Sequence, residues 1–419
     1  MTSVVPLLMS RPYLQAMLMN FLFFMSMNLF LLLPIHVQQM GGDEADVGLV
    51  QGAYSLAGIL FQPLVGLWVN RLGRGFFMRL GALLLALSAV GFVLSHSIPL
   101  HAVLRALQGL AFSAFFVANY IHIVDLSPVE RRGWALGIFG LSGLTSTALA
   151  PLLGEAVLRQ AGFRWCFVLA AVLAGGAFGI ILRTRGIRPP APGGGPGIDE
   201  LREGLREIYR VHMVLGFFFG LGTGTLFTFL PTFAVLLGVT GLGLFYTAYS
   251  ASAVAVRVLG GNLIDTQGRR AVIVPCMIIF AAAVCMLALL AGTVGPGVHI
   301  RVLPFIFLAG LLAGGAHGFL YPALSALLVD VTPEARRASA VGIFSAVCLL
   351  GNAIGAVAFG FIAHAAGYGP MWIALAVVMS GGIVASFRLE PGPGAARVPE
   401  SLPRARAAPA ATAELPADR

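Results

Sequence analysis

The chain is 419 residues long, 58% hydrophobic and only 10% charged. That leaves too little polar surface to cover a soluble protein of this size, which argues against an aqueous enzyme and for a chain that lives in a bilayer. All 26 basic residues are arginine, and the net charge of +9 reflects their gathering on one side of a membrane rather than a surface for nucleic acid.

About 20 apolar residues cross the hydrocarbon. Twelve such windows occur, near 12–38, 46–69, 76–95, 99–124, 133–157, 163–183, 211–238, 243–264, 271–291, 302–329, 338–363 and 368–387. The first is too long for the apolar core of a signal peptide and no A-x-A site closes it, so it is read as a span. With the N-terminus in the cytoplasm, only Arg159, Arg164 and Arg301 fall outside, and Arg105 and Arg257 lie within spans. The positive-inside rule then predicts a multi-pass inner-membrane protein with both termini cytoplasmic. The predicted units are an N-terminal six-helix bundle (1–184), a cytoplasmic linker with an amphipathic segment (185–208), a C-terminal six-helix bundle (209–390) and a disordered tail (391–419).

In span 1, Asn20, Phe24 and Asn28 recur at four-residue steps and share one helical face. Amides are costly against lipid, so this face is expected to contact substrate or to hydrogen-bond a neighbouring helix. In span 4, Arg105, Gln108, Phe112, Phe116, Asn119 and His122 form one polar and aromatic stripe, the pattern of a cavity lining or a helix interface. Arg105 lies about one turn inside the outer surface and either snorkels outward or heads the stripe. Asp125 ends span 4, and Ser127-Pro128-Val129-Glu130 reads as a capping box that starts span 5. Glu155, near the outer end of span 5, is the one acid inside a membrane-spanning core. It is a proton-carrier candidate or a partner for Arg159 or Arg164.

After the Pro- and Gly-rich linker, span 7 carries Thr223, Thr225 and Thr228 where span 1 carries amides. Span 8 has Arg257 where span 2 has Gln62. Span 10 places Gly310, Gly314, His317 and Tyr321 on one face, the counterpart of the span-4 stripe, and His317 either satisfies a packing hydrogen bond or carries protons. Cys166, Cys276, Cys285 and Cys348 all fall in apolar spans without metal spacing and are expected to be buried small hydrophobes. No metal or cofactor is expected. A G-x-x-x-x-G-K-S/T loop is missing and the chain has no lysine, so ATP is not the energy source.

The two halves repeat one another. Gly66, Asn70, Arg71, Gly73 and Arg74 form a tight basic turn that returns 195 positions later as Gly261, Asp265, Gly268, Arg269 and Arg270, and Asp125 returns as Asp330. With Arg105-Ala-Leu-Gln108-Gly109 in span 4, these turns resemble the signatures of the major facilitator superfamily over residues 12–388, especially its proton-coupled drug and metabolite exporters. Asn70 stands where that family has an acid, Thr266 where it has a base, and Ala150-Pro151-Leu152-Leu153-Gly154-Glu155 meets only part of its exporter signature.

The resemblance implies an all-α membrane protein of twelve transmembrane helices in two halves related by pseudo-two-fold symmetry. It also implies a non-enzymatic, monomeric carrier working by alternating access, with proton-coupled export of a small amphiphilic molecule. Arg105, Glu155 and His317 would couple protons, and Asn20, Phe24, Asn28, Gln108, Phe112, Phe116, Asn119, Arg257 and Tyr321 would meet substrate. Gly66, Asn70, Arg71, Gly73, Arg74, Asp125, Asp265, Gly268, Arg269 and Asp330 would form the cytoplasmic latch. The alternatives are an importer or facilitator of a small anionic nutrient, with Arg105 and Arg257 as clamps, and a lipid flippase.

Overall fold

A computed structural model describes residues 10–127, 132–184, 187, 211–239, 241–260, 263, 267–292, 299–331 and 337–389. The tail, the linker apart from Ile187, Asp265, and all of the capping box after Ser127 lie outside the described residues, as do the side chains of Asn70 and Asp330. Among the described residues there are twelve helices long and apolar enough to cross a membrane. They are α1 (Arg11–Gln39), α2 (Glu44–Leu72), α3 (Arg74–Leu94), α4 (Ile98–Leu126), α5 (Arg132–Ala161) and α6 (Phe163–Arg183) in the first half. The second half holds α7 (Val211–Leu236), α8 (Leu242–Gly260), α9 (Arg269–Ala291), α10 (His299–Val331), α11 (Arg337–Ala366) and α12 (Tyr368–Phe387). In α1, Pro34 has no N–H to give the carbonyl of Phe30, and the helix tightens to a 3-10 turn at Phe30–Leu32.

Packing repeats between the halves. In the first, α4 lies between α2 and α3, α6 packs on α3, and α1 packs on α5 and α6. In the second, α10 lies between α8 and α9, α12 packs on α9, and α7 packs on α11 and α12, which is the same arrangement six helices on. The closest approach is repeated too. A Cβ on Gly109 would stand 2.1 Å from the Tyr54 carbonyl oxygen, and one on Gly314 would stand 2.0 Å from that of Tyr249. Only glycine lets α4 meet α2, and α10 meet α8, backbone to backbone. The turns before α3 and α9 likewise need glycine, because Gly73 and Gly268 have φ of 88° and 84°. Outward-facing leucines such as Leu60, Leu94 and Leu289 are exposed, as lipid-facing side chains are. Two cysteines depart from expectation: Cys285 is exposed on the outward side of α9, and Cys348 is only partly buried.

The halves meet along two antiparallel seams, α2 on α11 and α5 on α8, which exchange under the same pseudo-symmetry. On the first seam, Gly48 lies against the Ala356 carbonyl, Gly52 against Val357, and the Ser55 hydroxyl donates to Asn352 Oδ1 at 3.2 Å. At the face away from the basic turns the seam is sealed by His364 Nδ1 against Asp43 Oδ2 at 3.1 Å and by Gln38 Nε2 against the Tyr368 hydroxyl at 3.3 Å. Further along the same helical faces, Gly66 and Gly342 have nothing within 4 Å of a would-be Cβ, and neither has Gly137 on α5. Among the described residues the halves therefore touch at the face opposite the basic turns and part toward the arginine-rich face, leaving a cleft between them.

Candidate functional site

The span-4 stripe faces protein, and Arg105 heads it rather than snorkelling. Its Nη1 donates to Gln108 Oε1 at 2.7 Å, its Nη2 donates to Gln51 Oε1, and its guanidinium lies over the Tyr54 ring at 4.7 Å. Arg105 is buried, and all three partners are neutral. A guanidinium in a membrane is tolerable in such a nest of amide oxygens and π density, and it remains positive with no carboxylate to cancel it. Below it, Phe112 stacks on Phe116 at 5.2 Å, Phe24 meets both edge-on, and Tyr54 leans on Phe112. Phe24, Phe112 and Phe116 are only partly buried, so this wall presents ring surface to the cleft.

The amides of α1 follow the packing reading. Asn20 Nδ2 donates to Ser142 Oγ at 2.6 Å and Asn20 Oδ1 accepts from Asn119 at 3.3 Å, so buried Asn20 ties α1 to α5 and α4. Asn28 donates to Thr147 Oγ1 of α5 at 3.1 Å and keeps part of its surface open. Gln108 and Asn119 are fully buried, which leaves them as supports of Arg105 and Asn20 rather than direct contacts for a ligand in this state.

Across the cleft, the Tyr249 hydroxyl and His317 Nδ1 share a short hydrogen bond, and Phe219 meets His317 edge-on at 4.9 Å and Tyr321 at 6.0 Å. Arg257 Nε donates to the Gly318 carbonyl at 3.1 Å, and its Nη1 reaches the other half, 3.2 Å from where a Cβ on Gly140 would stand. Tyr321, His317 and Arg257 are all partly buried.

The ends of the cleft differ. At the arginine-rich face, Arg74 Nε lies 2.6 Å from Asp125 Oδ2 within the first half, while Arg71 is exposed and Arg269 partly so. At the opposite face the Glu155 carboxylate crosses between halves. It lies beside the first turn of α8, near enough to the backbone N–H groups of Leu242 and Gly243 to feel their dipoles, and 3.8 Å from Arg159. Nearby, a Cβ on Gly243 would stand 2.6 Å from Leu152 Cδ2, so the α5 signature residues Leu152 and Glu155 both grip the start of α8. A carboxylate at a helix N-terminus is favoured by unpaired N–H groups and the helix dipole.

Gln51, Tyr54 and Tyr249 escaped the sequence reading as site residues. A signal was present: Gly52-Ala-Tyr-Ser55 and Thr247-Ala-Tyr-Ser250 repeat between the halves, and an aligned pair of tyrosines opposite the two polar stripes marks them. Asp43 and His364 carried no such mark, since one caps α2 and the other sits in the last turn of α11, far apart in the sequence.

The Major Facilitator Superfamily model matches residues 16–301 and 213–415. The staphylopine export protein of Staphylococcus aureus (strain Mu50 / ATCC 700699) is 23% identical over 405 residues, covering 92% of this chain and 98% of that protein. The quinolone resistance protein NorA of Staphylococcus aureus (strain MRSA252) is 30% identical over 167 residues, 38% of this chain and 40% of that one. Among solved structures, the nucleoside transporter NupG (D323A mutant) superposes with a TM-score of 0.73 at 14% identity, over 90% of this chain and 98% of that one. A D-xylose-proton symporter does so with a TM-score of 0.69 at 18% identity, over 90% and 95%. Twelve helices in two equivalent bundles, two inter-half seams and a family match along the chain lead to one conclusion: this protein belongs to the Major Facilitator Superfamily.

Proposed function

We propose that this carrier works by alternating access, exports a small amphiphilic molecule in exchange for protons, and keeps its arginine-rich face in the cytoplasm. One observation carries the reading: the halves are joined at the opposite face and parted at the arginine-rich face, around walls that combine aromatic rings with fixed polar groups. Rings offer broad, undemanding contact to an apolar body, while Arg105, Arg257 and His317 offer a few placed polar groups to its head. Such a cleft, open on the basic side, suits loading from the cytoplasm. The whole-length similarity to an export protein supports the direction.

The proton's place is assigned to Glu155 and His317, with Arg105 as the fixed charge they work against. Ionised Glu155 holds the first turn of α8 and so holds the far face shut. Protonation removes the charge that attracts those N–H groups, and that face is then freer to open. His317, bonded to Tyr249 beside Arg257, is the group within the cleft that can pass a proton.

Proton release from acid-loaded, everted membrane vesicles tests this, with lipophilic cations, neutral amphiphiles and small carboxylates added one at a time. Export predicts release for one class, lost in Glu155→Gln. Silence across the panel, with a labelled carboxylate still equilibrating through the purified protein, would replace export with uptake or uncoupled passage of an anion.

A further inference from the structure

We infer that the transported molecule carries a carboxylate and that Arg257 is the group that binds it, a step that rests on the carrier reading above. The argument is one of unmatched charge. Of the five N–H donors of the Arg257 guanidinium, only Nε has a hydrogen-bond partner among the described residues, the Gly318 carbonyl. Its terminal nitrogens are not sealed in the core, and Nη1 lies at the boundary with the other half, against Gly140. None of the described acids is near enough to pair with it. Asp43, Glu44 and Asp46 lie at the start of α2, Glu155 caps α8, and Asp125 is held by Arg74.

Arg105 deepens the imbalance, because its partners Gln51, Gln108 and Tyr54 are neutral. The cleft therefore contains two guanidinium groups and no described carboxylate to balance them. Carrying such charge inside a membrane is costly unless something supplies the counter-charge, and here the structure leaves that to the passenger. The two arginines differ in readiness. Arg105 has both terminal nitrogens occupied, whereas those of Arg257 are free and side by side, the fork that takes a carboxylate through two parallel hydrogen bonds. Tyr321, partly buried and backed by Phe219, stands near it to receive an apolar body. A cation would be repelled at this point, and a neutral amide would leave the guanidinium uncompensated.

Position 140 provides an internal check. Gly140 of α5 faces the guanidinium across the half boundary, and a Cβ there would lie 3.2 Å from Nη1. Gly140→Asp would place a carboxylate where the passenger's is inferred to sit and should act as a tethered competitor.

The test is binding to purified full-length protein in detergent, by calorimetry and thermal shift, so that direction and proton coupling do not enter. The probes are naphthoate, phenylbutyrate and decanoate, each set against its amide and its amine. The inference predicts that at least one carboxylate binds at least tenfold more tightly than its amide, with no amine doing so. That preference should vanish in Arg257→Gln and in Gly140→Asp, be partly kept in Arg257→Lys, and leave amide affinity within threefold in every folded variant. Equal affinities across the three head groups, no carboxylate binding, or an undiminished carboxylate preference in both Arg257→Gln and Gly140→Asp would each overturn it. Carboxylate-selective binding in a protein that gives no proton release from vesicles would sink proton-coupled export and leave this site standing.

Discussion

The two halves solve the same packing problem and then part company in their chemistry. In the first, Gly109 presses on the Tyr54 carbonyl and the tyrosine ring supports Arg105. In the second, Gly314 presses on the Tyr249 carbonyl, but the position matching Arg105 is Gly310, and the tyrosine hydroxyl turns to His317, which stands where the first half has Phe112. Gln62 and Arg257 differ in the same way. Backbone contacts at van der Waals distance tolerate no drift, so the duplicated scaffold is kept. The side chains around it face a space rather than a neighbour and are free to specialise: one half holds its charge in a closed nest, the other leaves it open.

Four outcomes would sharpen or break that contrast. The largest effect is expected for Arg105→Gln, which strips the nest of the charge that its two amides and one ring surround. Transport should fall about 100-fold, the scale of losing one member of a buried polar network, while Phe112→His, which copies the second half into the first, should fold normally and lose far less. A similar loss in both would mean that the halves are not specialised. Next are Gly109→Ala and Gly314→Ala. Each should destabilise by about 2 kcal/mol or more through overpacking, and by similar amounts, read from thermal unfolding in detergent; a large difference would show that the shared scaffold is not shared in energy.

Third, Glu155→Gln should weaken a charge-assisted cap by about 1.5 kcal/mol, shifting the balance of closed and open far faces roughly tenfold. Asp125→Asn is expected to be smallest. The Arg74 pair joins the ends of two helices of one half and does not cross between the halves, so transport should change by about threefold or less. A collapse of activity would promote this pair from a local brace to a gate.

How much of this the chain declares depends on the kind of contact. The twelve spans and the duplication are written in hydropathy and in glycines such as Gly73 and Gly268, whose positive φ only that residue adopts easily. The Arg105 and Gln108 pair was legible because its members lie one turn apart on a single helix. Gln51, its second amide, sits on another helix and is joined to it only by tertiary packing. The surroundings of Glu155 were hidden for a deeper reason: it lies by the backbone N–H groups of Leu242 and Gly243, which no residue type advertises. Asn20 was read as one of two things, and burial against Ser142 and Asn119 places it in the packing.

The measurement that goes most directly to the account is a pair of spin-label distances in liposomes, one between positions 66 and 342 at the parted face and one between positions 40 and 365 at the joined face, compared in the wild-type background and in Glu155→Gln. Rocking of two rigid halves predicts opposite movements: as Glu155→Gln lengthens the 40–365 distance in a growing fraction of molecules, the 66–342 distance shortens in the same fraction. Distances that change in the same sense, or a 40–365 distance that Glu155→Gln leaves untouched, would contradict it.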